Sequence, residues 1–236
     1  CRMMEEQTWP NADVAAFVNA HFVPLKIHTG KSEEQALAQE FNIRGIPTTL
    51  VIDADKNVIG KKVGFAPPTD FLAFLNAAAS VQKLEKAVPA DSQDAAAALA
   101  LARARIALDR KDEAAELLDK VVALDKDNAQ GKKVHALFLL GTMALEHQKP
   151  DEAKTKFDEV LKLDPQDETG YADDITLKLA LVPASKRDFA SSATRLQTFL
   201  ENFPKSELAP AALFFLGRCH ASTGKNEEAD KVLQKI

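Results

Sequence analysis

The feature that most constrains this chain is a pattern that returns along its C-terminal part. Leu101-Ala102, Asp112-Glu113-Ala114, Leu118 and Leu124-Asp125-Lys126-Asp127-Asn128 form one copy. Leu140-Gly141, Asp151-Glu152-Ala153, Phe157 and Leu163-Asp164-Pro165-Gln166-Asp167 form the next. A third runs through Leu216-Gly217, Asn226-Glu227-Glu228-Ala229 and Leu233. Ala114 and Ala153 stand 39 residues apart, and Ala153 and Ala229 stand 76 apart, twice 38. A degenerate unit fits the gap, with Phe189-Ala190 to Phe203-Pro204 as its second helix. The intervening sequence is rich in Ala, Leu, Lys and Glu, which favour helix, and almost lacks strand signals. Each unit therefore reads as a pair of helices. Gly141 and Gly217 let the two helices approach closely, and Ala114, Ala153 and Ala229 fill the matching place on the second helix. Pro165 stops a helix before the next unit. One pair cannot bury both its faces, so such units stack in threes or more.

This Leu-Gly, Ala, Pro signature resembles the tetratricopeptide repeat, a helix-turn-helix unit of about 34 residues. The units here are about four or five residues longer. An unrelated array of helical hairpins is the alternative. The resemblance implies an all-α solenoid over residues 94–236, with units at 95–128, 134–167, 173–206 (degenerate) and 210–236 (incomplete). It also implies protein partners held on a concave face. The final unit ends inside its second helix with no polar cap after it, so the chain is expected to continue past Ile236.

The first 80 residues alternate strand and helix signals. A helix is expected from Cys1, broken at Trp9-Pro10, with a second piece over Asn11–Ala20. Phe22-Val23-Pro24-Leu25-Lys26-Ile27 reads as a short strand. Ser32 is placed to cap a helix, with Gln35 three residues on as in a capping box. Thr48-Thr49-Leu50-Val51-Ile52-Asp53 is the strongest strand, and the turn Asp53–Asn57 leads into a second over Val58–Gly64. Thr69-Asp70 is expected to cap a helix bearing Phe71, Leu72, Phe74 and Leu75. Residues 81–93 then extend that helix and link it to the repeats.

Cys1, ahead of Arg2-Met3-Met4-Glu5-Glu6, and Arg44-Gly45-Ile46-Pro47-Thr48-Thr49 together resemble thioredoxin-like proteins. The resemblance covers residues 1–80 and implies a partial α/β thioredoxin-like fold lacking its first strand. Cys1 would be the second, resolving cysteine of a C-x-x-C motif, with the attacking cysteine upstream. Pro47 would be the cis-proline of the family, and Ile46 and Thr48 would offer backbone to an extended substrate strand. The Glu5–Asn11 segment resembles the branch found in secreted and envelope thiol-disulfide interchange proteins, which suggests a bacterial periplasm or cell envelope, with cytoplasm as the alternative. Read from the residues alone, Cys1 could also be an accidental first residue or a lipid-modified one, and Pro47 a trans proline opening a strand.

The combined expectation is a thiol-disulfide oxidoreductase whose repeats recruit clients. The alternative is a non-catalytic, chaperone-like docking scaffold. A net charge of −5 offers no footprint for nucleic acid. No apolar run approaches the ~18–20 residues that span a bilayer. The five histidines show no metal-ligand spacing, and no motif asks for a cofactor. Cys219 reads as a small buried hydrophobe.

Overall fold

A computed structural model describes residues 2–28 and 32–236, leaving aside the side chains of Ser32 and Glu33. Cys1 and the Ser32 cap therefore lie outside the described residues. The chain forms two compact units, Cys1–Lys126 and Asp127–Ile236.

The first unit opens on a π-helical turn, Met4–Thr8. Trp9-Pro10 ends it. Asn11 then caps α1 (Ala12–His21), its side chain accepting from the N–H groups of Asp13 and Val14 at 3.1 and 3.2 Å. α2 (Ser32–Glu40) precedes an antiparallel hairpin of β1 (Thr48–Ile52) and β2 (Val58–Val63). Its register runs from Thr48 opposite Val63 to Ile52 opposite Val58, with an irregularity at Val51/Ile52. The Asp53 carboxylate holds the turn by accepting from the N–H groups of Asp55 and Asn57. α3 (Pro68–Ala87) carries the core through buried Phe71, Phe74, Leu75 and Val81. It packs on α1, β2 and α4 (Ala95–Ala107), and α4 pairs with α5 (Lys111–Leu124).

Two expectations fail here. Residues 22–28 form no strand, and Val23 and Leu25 are 97% and 77% exposed. Strand backbone needs a hydrogen-bonded neighbour, and among the described residues none lies beside this run, so its β-leaning composition finds no face to bury. Thr69-Asp70 does not cap α3 either. The helix begins at Pro68, after Pro67, with no side-chain cap. Proline suits the first turn because its missing N–H falls where the helix would leave one unpaired anyway.

The second unit holds α6 (Lys132–Glu146), α7 (Pro150–Leu163), α8 (Ala172–Ser185), α9 (Phe189–Asn202), α10 (Ala209–Ser222) and α11 (Asn226–Leu233). With α4 and α5 these form successive helical pairs that share one packing device. A small residue stands on the first helix, and the second carries a small residue with a bulky one a turn later; at Gly141 and Gly217 it is the bulky residue that fills the space left by the glycine. The sets are Ala102, Ala114 and Leu118; Gly141, Ala153 and Phe157; Ala180, Ser192 and Leu196; Gly217, Ala229 and Leu233. All but Leu233 are buried. A Cβ on Gly141 would fall 2.6 Å from the Phe157 ring, which is why the first helix needs glycine there.

The degenerate pair repairs itself differently. Pro183 stands inside α8 and lacks an N–H for the Leu179 carbonyl four residues back. The Arg195 guanidinium of α9 donates to that carbonyl at 3.3 Å. One residue along, the buried Ser192 hydroxyl donates to the Ala180 carbonyl at 2.7 Å and accepts from the Ala184 N–H at 2.9 Å. The serine that replaces the alanine of the other pairs thus bridges a broken helical ladder.

Candidate functional site

The Ile46–Pro47 bond is cis. The loop around it is held by the strands that follow. The Thr48 hydroxyl donates to the Gly45 carbonyl at 2.6 Å, and the Gly64 N–H donates to the Pro47 carbonyl at 2.8 Å. Gly64 has φ +87, a conformation that costs glycine little, so it lets the chain leave β2 while still reaching Pro47. Pro47 and Thr48 are half-buried, and Ile46 is 66% exposed. The loop therefore presents an apolar side chain to solvent from a fixed backbone.

The helical segment that begins the chain anchors to the same place. The buried Thr8 hydroxyl donates to the Ala66 carbonyl at 2.6 Å, and the Ala66 N–H points at Met4 Sδ at 3.5 Å. Trp9 meets Phe71 edge to face at 4.9 Å. Gly64 and Ala66, two residues apart, thus tie the Ile46–Pro47 loop and the helical turn behind Cys1 to one stretch of chain. Met4 reads from the sequence as a packing residue and Gly64 as the strand end that completes the Ile46–Pro47 signature, whereas sequence reasoning missed Thr8. A threonine hydroxyl that becomes buried carries no signal of its own in the sequence. Charges around the segment are exposed. Lys26 hydrogen-bonds Glu5 at 2.7 Å and holds its carboxyl below the usual range, and Arg2 pairs with Glu6 at 2.6 Å.

The other candidate groups do not build a reactive centre. Cys219 is 4% exposed, and burial pushes its thiol pKa up, which disfavours the nucleophilic thiolate. His135 Nδ1 lies 2.7 Å from the Tyr171 hydroxyl. Among the described residues no group of three His, Cys, Asp or Glu could hold a metal ion. An open cavity of about 330 Å³ lies between the turns 164–171 and 203–208. Three of its polar groups serve the turns themselves: Ser206 donates to Asp173 at 2.5 Å, and Asp167 accepts from the Ala172 N–H at 2.9 Å. No helix among the described residues is long and apolar enough to cross a membrane.

The second unit offers a different surface. Phe138 of α6 stacks on Tyr171 at 4.0 Å with rings 5° apart, and Lys178 of α8 stands 5.9 Å over Phe138. Phe214 of α10 is 48% exposed, with Arg218 at 5.8 Å. Aromatic and basic groups thus sit on the first helices of successive pairs, where the repeat pattern alone did not single them out.

Comparison with known proteins starts the repeats within the first compact unit. A family described as a thioredoxin-like domain matches residues 1–79. Three tetratricopeptide repeat families match residues 74–138, 135–167 and 177–236. Comparison with curated protein sequences gives no match. Among solved structures, MamA from AMB-1 is similar over 68% of this chain and 87% of its own, at 22% identity and a TM-score of 0.53. A putative kinesin light chain from Podosopora anserina with nearly identical TPR-like repeats is similar over 71% of this chain and 89% of its own, at 19% identity and a TM-score of 0.54. At these identities the likeness concerns the fold. A thioredoxin-like domain with a small two-stranded sheet, followed by tetratricopeptide repeats, is what this chain contains.

Proposed function

We propose that the protein is a thiol-disulfide oxidoreductase whose repeats recruit protein clients or partners. The observation that carries this reading is the Ile46–Pro47 loop, exposed at Ile46 and tied through Gly64 to the stretch that anchors the helical turn behind Cys1. An extended client would lie along the backbone of Ile46 and Thr48. An attacking thiolate, which the thioredoxin resemblance puts three positions ahead of Cys1, bonds to one client sulfur and displaces the other. The Cys1 thiolate then attacks the enzyme sulfur of that mixed disulfide, closes an intramolecular disulfide and releases the second client sulfur. Two electrons and two protons pass to the client, and an external dithiol resets the pair. The resemblance further suggests the bacterial periplasm or cell envelope as the setting, which cell fractionation would test.

Insulin disulfide reduction by the protein as it occurs in its source cell tests this function. The wild type is expected to turn over, and Cys1→Ser is expected to accumulate a covalent insulin adduct. Turnover at background would overturn it.

A second reading, a docking scaffold without chemistry, draws on the apolar side chains of Val23 and Leu25 left in solvent. It predicts that Cys1→Ser captures the same partners as the wild type and that neither exchanges disulfides.

A further inference from the structure

We infer that the first helical pair is a positioning element for the Ile46–Pro47 loop, and that Leu108 at the end of α4 sets the loop's place through Gly60. Gly60 is buried in the middle of β2. A Cβ there would fall 2.6 Å from Leu108 Cδ2 and 3.0 Å from Phe74 Cε2. The backbone of β2 therefore lies directly against the end of α4 and the middle of α3, so close that any side chain at position 60 would displace Leu108 or Phe74. Three residues on, Val63 pairs with Thr48, and the next residue donates to the Pro47 carbonyl. The depth at which Gly60 seats thus fixes where the loop stands.

α4 is itself clamped. Glu85 of α3 meets Arg105 at 3.2 Å and Arg110 at 3.0 Å. Arg110 also binds Glu113 of α5 at 2.6 Å. Leu108 lies between these two arginines in sequence and is 4% exposed. A helix of the repeats consequently holds the strand that holds the loop, and Leu108 acts without touching the loop. The consequence for clients rests on the function proposed above; the coupling does not.

Hydrogen exchange of the Gly64 N–H in the full chain reads the coupling directly, since that amide bonds Pro47. Leu108→Ala should speed its exchange by about tenfold or more, because the cavity unseats β2. Leu108→Ile should return it close to the wild-type rate. Leu118→Ala, which empties the core of the same helical pair from α5, should speed it distinctly less. Equal acceleration in the two alanine variants, or none in Leu108→Ala, would overturn the inference. Should Leu108→Ala not fold, Leu108→Val against Leu118→Val makes the same comparison. No client or thiol enters this measurement, so its failure is distinct from failure of insulin turnover.

Discussion

The hairpin of the thioredoxin-like region and the helical pairs of the second unit bury apolar surface in opposite ways. Each helical pair has a joint of its own, as where Phe157 fills the space left by Gly141, and α9 also shares a core with α10 of the next pair through Leu196, Phe199, Ala212 and Leu216. The hairpin buries little by itself. Ile52, Val58 and Val63 are 43%, 49% and 58% exposed, while Val51 and Gly60 are its buried residues. Its seat is supplied by Phe74 of α3 and Leu108 beyond α4. Repeats thus make their contacts with the helices next to them in the chain, whereas the small sheet is seated by helices from farther along it.

The largest test of this contrast is Phe157→Ala. It should cost about 3–5 kcal/mol, read as a lower denaturant midpoint for the helical signal. Gly141→Ala, which overpacks the same contact, should cost about 1–3 kcal/mol in the wild type and much less on the Phe157→Ala background. Additive costs would break the claim that the two residues form one joint.

Ser192→Ala comes next. It leaves the Ala180 carbonyl and Ala184 N–H without their bridging hydroxyl, at about 1–3 kcal/mol, although alanine is the residue of the other pairs. A neutral result in thermal unfolding would show that α8 closes its ladder unaided.

A smaller effect is expected from Glu85→Gln. The ion pairs it removes are only partly shielded, so about 0.5–1 kcal/mol is at stake, and salt should shrink it. The same network has a pH signature. The hydrogen bond from Arg110 holds the Glu113 carboxyl below its ordinary range. Its contribution is therefore complete above the unfolded carboxyl value, about 4.3, and fades as pH falls through the lower folded value. Urea midpoints of the wild type and Glu113→Gln should converge on acidification through that window.

Val23→Ser should do least, within about 0.5 kcal/mol, because the side chain is already in water. A large loss would mean that residues 22–28 pack more closely than described.

Much of the helical part was legible because its signals are local. Glycine, alanine and a bulky residue recur at fixed spacing, and one helical pair satisfies them. The Ile46–Pro47 loop was legible for a similar reason, since Arg-Gly-Ile-Pro-Thr is a compact motif before a β-branched run. The run at 22–27 misled because β propensity describes a fit to a neighbouring strand, and composition cannot supply the neighbour. Ser192 was invisible because its value lies in a proline nine residues earlier on another helix.

By itself, the sequence determined the order of modules and the helix-turn-helix grain of the repeats, since both follow from propensity and spacing within a few dozen residues. Only the tertiary structure decided what the loop's supports are. Thr8 meets Ala66 across 58 positions, and Leu108 meets Gly60 although all of α3 intervenes in the chain. Such contacts form where packed elements leave room for them, and that room exists only once the chain has folded.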